Sequence, residues 1–415
     1  MGGATDVSAA EPQLPSEEPR DQPPVSVTRP GEWLHANLFS TWYNSVLTVV
    51  FAGLTVAALV GAGRFVLITA DWDVIRVNLT NFMIGRLPRE HIPRVVAAVG
   101  VLAFVLGLTL GALPRATSWR ERMVSLRKAG PLVVLVVVLL AFTETITPTF
   151  VVLGVVVCVI AGTQVGRHLP PVLGRRLWLL YLAGIVAAYL SLSAGGGPGY
   201  PQFGGLMLTL FLALGGIVLS FPIGLLLGLG RRSSFPVVRL ACVGYIELIR
   251  GVPLITLLFM SGLALGFFLP AGMSRPELVT RALVALVLFT AAYVAEIIRG
   301  GLQGVPVGQT EAAQAIGLSP LQTTFRVVLP QALRNVIPAL VGQFISLFKD
   351  TSLVTFLGLL ELLGVAQVVV EQPDFRGQGL QAVTLTFVCF IYWCFCYSMS
   401  RASQRLERRL GVGER

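Results

Sequence analysis

The feature that most constrains this chain is a succession of apolar runs, most of them about as long as a bilayer is thick, separated by segments rich in arginine. A helix of about 20 apolar residues spans the hydrocarbon core, and helices pair their own backbone groups where no water can. Such runs occupy Ser45–Ala62, Arg94–Leu113, Pro131–Ala161, Leu177–Leu192, Leu206–Leu229, Pro253–Leu269, Ala282–Ile298, Val336–Val370 and Ala382–Met399. Of the 415 residues 54% are hydrophobic and only 13% charged, against about 25% charged in soluble domains. A globule in water needs more polar surface than that. The net charge of +10 is scattered between the apolar runs and forms no basic face, which argues against nucleic-acid binding. The chain reads as an all-α integral membrane protein.

The basic residues set the topology, because loops rich in Arg and Lys stay in the cytoplasm. One such loop holds Arg115, Arg120, Arg122, Arg127 and Lys128, and the next holds Arg167, Arg175 and Arg176. An even number of crossings must separate two inside loops, so Pro131–Ala161 is expected to form a tight hairpin turning near Glu144–Pro148. Arg231, Arg232, Arg299 and the terminal Arg401, Arg405, Arg408 and Arg409 fit the same alternation. The result is about ten transmembrane helices with both termini in the cytoplasm of a cell or inner membrane.

Residues 1–43 are expected to be a disordered cytoplasmic tail, rich in Pro, Glu, Asp and Ser; the tail has no apolar core of a signal peptide. Residues 44–200 form an additional N-terminal transmembrane region, 201–401 a transmembrane core with a cytoplasmic loop at 300–334, and 402–415 a basic tail. Asp71–Arg94 reads as a loop or interfacial helix. Gly107 and Gly111 form a G-x-x-x-G that permits close helix packing.

Chemistry-bearing residues are few. Cys158, Cys242, Cys389, Cys394 and Cys396 lie in or beside apolar runs, and His35, His91 and His168 form no cluster, so no metal site is expected. The only lysines are Lys128 and Lys349. Neither follows a glycine, so the chain has no phosphate-binding P-loop.

The loop at 300–334 contains Glu311-Ala312-Ala313-Gln314-Ala315-Ile316-Gly317, then Leu318-Ser319-Pro320, and closes with Val327-Val328-Leu329-Pro330. Gly317 is a helix stop that can adopt the left-handed conformation. Ser319 is an N-cap with Pro320 at the first helical position, and Pro330 is expected to end the second helix. Two short helices with a break between them make a knob suited to a groove in another protein.

E-A-A, a Gly six residues after the Glu, and a closing V-x-L-P resemble the coupling motif of permease subunits of ATP-binding-cassette (ABC) importers. Val327 stands where that motif usually has Ile. Tyr245–Leu254, Ala295–Gly301, Leu329–Arg334 and Lys349–Leu353 are similar to the permeases of polar amino-acid uptake systems over roughly Gly204–Arg409. Trp33-Leu34 and Asn37–Ser40, with the extra N-terminal spans, look like the long permeases of general L-amino-acid systems. The resemblance implies a type I importer whose C-terminal five helices are the permease core. Two permeases, identical or homologous, would form the pathway. Two partner ATPases would bind ATP and Mg, and an extracytoplasmic binding protein would deliver the amino acid. This chain would be no enzyme and would bind no cofactor.

On that reading Glu311, Ala312, Ala313, Gly317, Leu329 and Pro330 contact the ATPase, against the plain alternative of an ordinary amphipathic loop. Lys349 sits within an apolar run, where a charge is costly and usually functional or paired. It and its neighbours Asp350 and Thr351 are candidates for the pathway, or else anchor a helix break. Glu247 with Arg250, and Glu296 with Arg299, stand at i,i+3 spacing as local ion pairs with a conceivable gating role. Glu144 and Glu361 could mark a pathway, but a turn and a helix end explain them equally. A secondary transporter or channel working without an ATPase is the competing class. A membrane-embedded enzyme ranks last, for want of a nucleophile–base pair.

Overall fold

The computed structural model describes residues 30–112, 130, 133–143, 146–168, 177–193, 199–268, 270 and 274–410. The expectations for residues 1–29, for the basic loop at 115–128, for Glu144 and for Arg175 and Arg176 lie outside the described residues. The chain divides into two compact units, Met1–Ala70 and Asp71–Arg415.

In the first unit the chain is helical from Pro30, so the tail expected to be unstructured to residue 43 contains helix α1, Pro30–Leu38. Helix α2, Trp42–Arg64, follows, with the Thr41 hydroxyl capping its first turn and a wider π-helical turn, Phe65–Thr69, at its end. No residue of α2 is buried. A helix apolar on all sides finds its complement in lipid.

Among its described residues the second unit consists of helices joined by turns and irregular links, with one isolated backbone bridge between Gly205 and Glu361. Its helices are α3 (Asp73–Ile84), α4 (Ile92–Ala112), α5 (Ile146–Arg167), α6 (Leu177–Ser193) and α7 (Gly205–Gly230). After them come α8 (Pro236–Gly251), α9 (Leu254–Phe259), α10 (Leu278–Gln303), α11 (Val307–Ala315) and α12 (Pro320–Thr323). The last are α13 (Leu329–Asp350), α14 (Leu362–Val369) and α15 (Gln381–Leu410). Residues 133–141 are also helical. Among the described residues six helices are long and apolar enough to cross a membrane, or seven with one bent pair; Leu153–Arg167 and Leu179–Leu192 are shorter apolar helices.

Helix α10 is the centre of this unit. Thirteen of its residues are buried, including Ala291, Ala292, Val294, Ala295 and Ile298. It packs against α7 at Gly224 and Gly228, spaced four apart and so on one face, while Gly216 of α7 faces Leu347 of α13. A Cβ on Gly224 would lie 2.6 Å from Val294 Cβ, so glycine is what lets the two backbones approach. The G-x-x-x-G of α4 does the same: a Cβ on Gly107 or Gly111 would run into the backbone oxygens of Val159 or Thr163 on α5.

Asp71–Arg94, expected as a loop or interfacial helix, contains helix α3, which leaves Asp73, Arg76 and Val77 exposed and holds Val74, Ile75 and Phe82 at 0% exposure, because its apolar face packs on the helices around it. The span expected at Pro253–Leu269 starts as α9 at Leu254, and α8 precedes it across a bend of 103°. Val252, preceding Pro253, is extended, as a residue before proline is driven to be. Pro330 does not end a helix but sits in the first turn of α13, where its missing N–H leaves nothing unpaired. A π-helical turn at Thr324–Val328 leads into it.

Candidate functional site

The knob between α10 and α13 is built as its residues dictate. Helix α11 ends at Gly317 with φ +86°. The Gly317 N–H donates to Gln314 O and the Leu318 N–H to Ala313 O, the paired bonds of a Schellman stop. Ser319 then caps α12, its hydroxyl accepting from the Gln322 N–H while the Gln322 side chain accepts from the Ser319 N–H. The reciprocal capping box was legible in the S-P-L-Q spacing and escaped the sequence reading.

The six expected coupling residues separate into two sets. Glu311, Ala312, Gly317 and Pro330 are exposed, whereas Ala313 and Leu329 are buried and hold the knob together. Leu329 belongs to a cluster with Val294, Ile298, Leu302, Val305, Val328 and Ala332, which seats the base of the knob on α10 and α13. Around Glu311 the surface is apolar: Val307 is 71% exposed, Ile316 78% and Leu321 70%. Clustered large apolar side chains on a protruding surface mark an interaction site.

Beside the knob, charged residues on three helices meet. Glu296 on α10, 14% exposed, receives Arg299 at 2.9 Å, Arg250 of α8 at 3.6 Å and Arg231 from the end of α7. Arg231 also reaches Glu247 of α8 at 3.1 Å, and Arg250 lies over the Tyr293 ring. The expected Glu296–Arg299 pair therefore forms, while the expected Glu247–Arg250 pair gives way to bonds between helices. Arg231, which the sequence reading used only for topology, is the hub. On a helix Glu247 and Arg250 could have met, but Arg231 and Glu296 stand closer across the interface.

The pathway candidates also separate. Thr351 is fully buried, its hydroxyl donating to Phe348 O, so it faces the interior and not an open surface. Lys349 is exposed and Asp350 half-buried, and no ion pair of Lys349 occurs among the described residues. Asn335, Ala339, Gly342 and Lys349 are exposed at spacings of four, three and seven residues, one face of α13, and nothing lies within 4 Å of a Cβ placed on Gly342. Small and polar residues on one face of an apolar span suit contact with another protein or with water better than with lipid.

Glu361 neither marks an open pathway nor merely ends a helix. Fully buried, it caps α14 through the Gly364 N–H at 2.8 Å and accepts from Thr209 of α7 and Tyr392 of α15, both at 3.2 Å. It ties three helices together. A lone Glu between leucines gave no sign of those partners.

The described residues form a multi-span helical subunit with an exposed apolar knob beside an inter-helix ion network. The sequence family described as "binding-protein-dependent transport system inner membrane component" matches residues 220–412. The glutamate/glutamine/aspartate/asparagine transport system permease protein BztC of Rhodobacter capsulatus is 37% identical, over 93% of this chain and 95% of its own length. The inner membrane amino-acid ABC transporter permease protein YhdY of Escherichia coli is 50% identical over 51% of this chain and 57% of its own. A solved amino acid ABC transporter with histidines is 32% identical over 49% of this chain and 91% of its own, with a TM-score of 0.44. The chain belongs to this family: it is a multi-pass inner-membrane permease subunit of an ABC importer, and not an enzyme.

Proposed function

We propose that this permease takes up amino acids of the polar class that BztC's name describes. In this reading the chain pairs with a second permease, identical or homologous. Two cytosolic ATPases bind ATP and Mg, and an extracytoplasmic binding protein delivers the substrate. Both termini, the knob and the ion network lie in the cytoplasm. Gly204, Glu361 and the turn after α3 lie at the extracytoplasmic end. Residues 44–200 are an addition to the permease core at 201–401, and 402–415 are its basic tail.

The observation that carries the reading is the knob, with Ile316 and Leu321 exposed around Glu311. Closure of the ATPases on ATP moves a groove that holds this knob. Because Leu329, Val328 and Val305 join the knob to α10 and α13, the movement passes into the helices as a rigid displacement. The exposed face of α13, with Lys349 near its end, lines the pathway between the two permeases, and its ammonium meets a carboxylate of the passing amino acid.

Reconstitution tests this. The chain with its second permease and ATPase, in a bilayer, should hydrolyse ATP faster when loaded binding protein is added. Substrate uptake driven by an ion gradient without ATP would instead establish a secondary transporter.

A further inference from the structure

At the end of the bundle opposite the knob, a shallow cavity of about 420 Å³ opens between three segments far apart in sequence. Arg86 and Pro88, between α3 and α4, form one wall; Pro201 and Gln202, before α7, form the second; Gly358 and Leu360, before α14, form the third. The walls are fixed to one another. The Gly205 N–H donates to Leu360 O at 2.8 Å, and a Cβ on Gly85 (φ +66°) would sit 2.5 Å from Gly204 Cα. The cavity is therefore preformed, as good docking sites are.

Its chemistry is apolar with a cationic rim. Arg86 and the nearby Arg89 are exposed, and neither has an ion pair among the described residues. The Gln202 amide adds a donor at the mouth. Arg86 and Pro88 lie in the additional N-terminal region, 44–200, which therefore contributes one of the three walls, while Pro201 and Gln202 open the core at 201–401.

We infer that this cavity is a docking socket for a carboxylate-bearing loop of the extracytoplasmic binding protein, gripped by Arg86 and Gln202. The inference rests on the importer reading above and adds to it a contact made by the N-terminal region. The third wall gives the contact a consequence. Gly358–Leu360 follow directly on the 3-10 turn Thr351–Leu357, which leads back to Lys349, and precede Glu361, which holds α7, α14 and α15 together. A loop seated in the socket presses on the segment that ends at the pathway face.

The experiment uses the complete importer in nanodiscs of neutral phosphatidylcholine, with ATPase rate measured against the concentration of loaded binding protein. Arg86→Glu should raise the half-saturating concentration about tenfold, because rim charges act mainly on association. The shift should shrink at about 0.5 M salt. Gln202→Glu should move it the same way, and a Lys replacing the contacting carboxylate on the binding protein should restore affinity to Arg86→Glu. Superimposable titrations for Arg86→Glu and the unchanged importer, with stimulation intact, would overturn the socket and leave the importer reading standing. An Arg86→Glu effect seen only with anionic lipid present would assign the site to a lipid headgroup and overturn it equally. No stimulation of the unchanged importer would overturn both.

Discussion

Arg231, at the end of α7, reaches across the helix interface to Glu296 on α10, and through that bond three helices share one carboxylate. The arrangement is asymmetric: Glu296 keeps two other arginines if Arg231 is lost, but the three arginines keep no common partner if Glu296 is lost. Glu296→Gln should therefore destabilise the purified subunit by about 1–2 kcal/mol, between the values for exposed and buried pairs. Arg231→Met should cost less, and Glu247→Gln least, since Glu247 is largely exposed. Thermal unfolding of the three variants in detergent gives the order, and a larger effect for Glu247→Gln than for Glu296→Gln would contradict it.

Gly317 needs its conformation, not its lack of volume. Its φ is +86° with no atom within 4 Å of a would-be Cβ, so a side chain meets strain of about 1–2 kcal/mol and no clash. Gly317→Asp should abolish uptake and leave ATP hydrolysis uncoupled, while membrane insertion is normal. Gly317→Asn, more tolerant of the left-handed region, should retain part of the uptake. Uptake and ATPase assays on the pair check this, and normal transport by Gly317→Asp would remove the knob from the coupling role.

Lys349 and Thr351 should respond differently. Lys349→Met should raise the substrate concentration for half-maximal uptake while leaving expression intact, because the side chain lies on an exposed face and has no ion pair among the described residues. Thr351→Val should lower stability by about 1 kcal/mol through the lost bond to Phe348 O, with little change in apparent substrate affinity. An unchanged affinity and selectivity in Lys349→Met would make that lysine a helix anchor.

Helix α3 should be indispensable to the core. Asn78 is buried and exchanges two side-chain hydrogen bonds with Gln372, 294 residues away, and Phe82 packs edge-on against Phe387 of α15. Phe82→Ala should cost about 3–5 kcal/mol. A fragment starting at residue 200 should then elute as aggregate in size-exclusion chromatography, and a monodisperse, heat-stable fragment would show the N-terminal region to be dispensable.

The sequence alone determined what depends on local chemistry and on the solvent. Long apolar runs dictate membrane helices because an unpaired backbone in lipid is too costly. Gly317, Ser319 and Pro320 shape the knob because each acts on its own few dihedral angles. Gly107 and Gly111 announced a close packing, since only a missing side chain permits it. Tertiary structure decided everything that depends on which distant groups meet. Arg231 became the hub of the ion network, α3 buried one face with Phe82 against Phe387, Thr351 turned inward while Lys349 two positions away turned out, and Glu361 found Thr209 and Tyr392. A charge or a hydrogen bond takes the partner that proximity supplies, and proximity across helices is fixed by packing that no window of sequence contains.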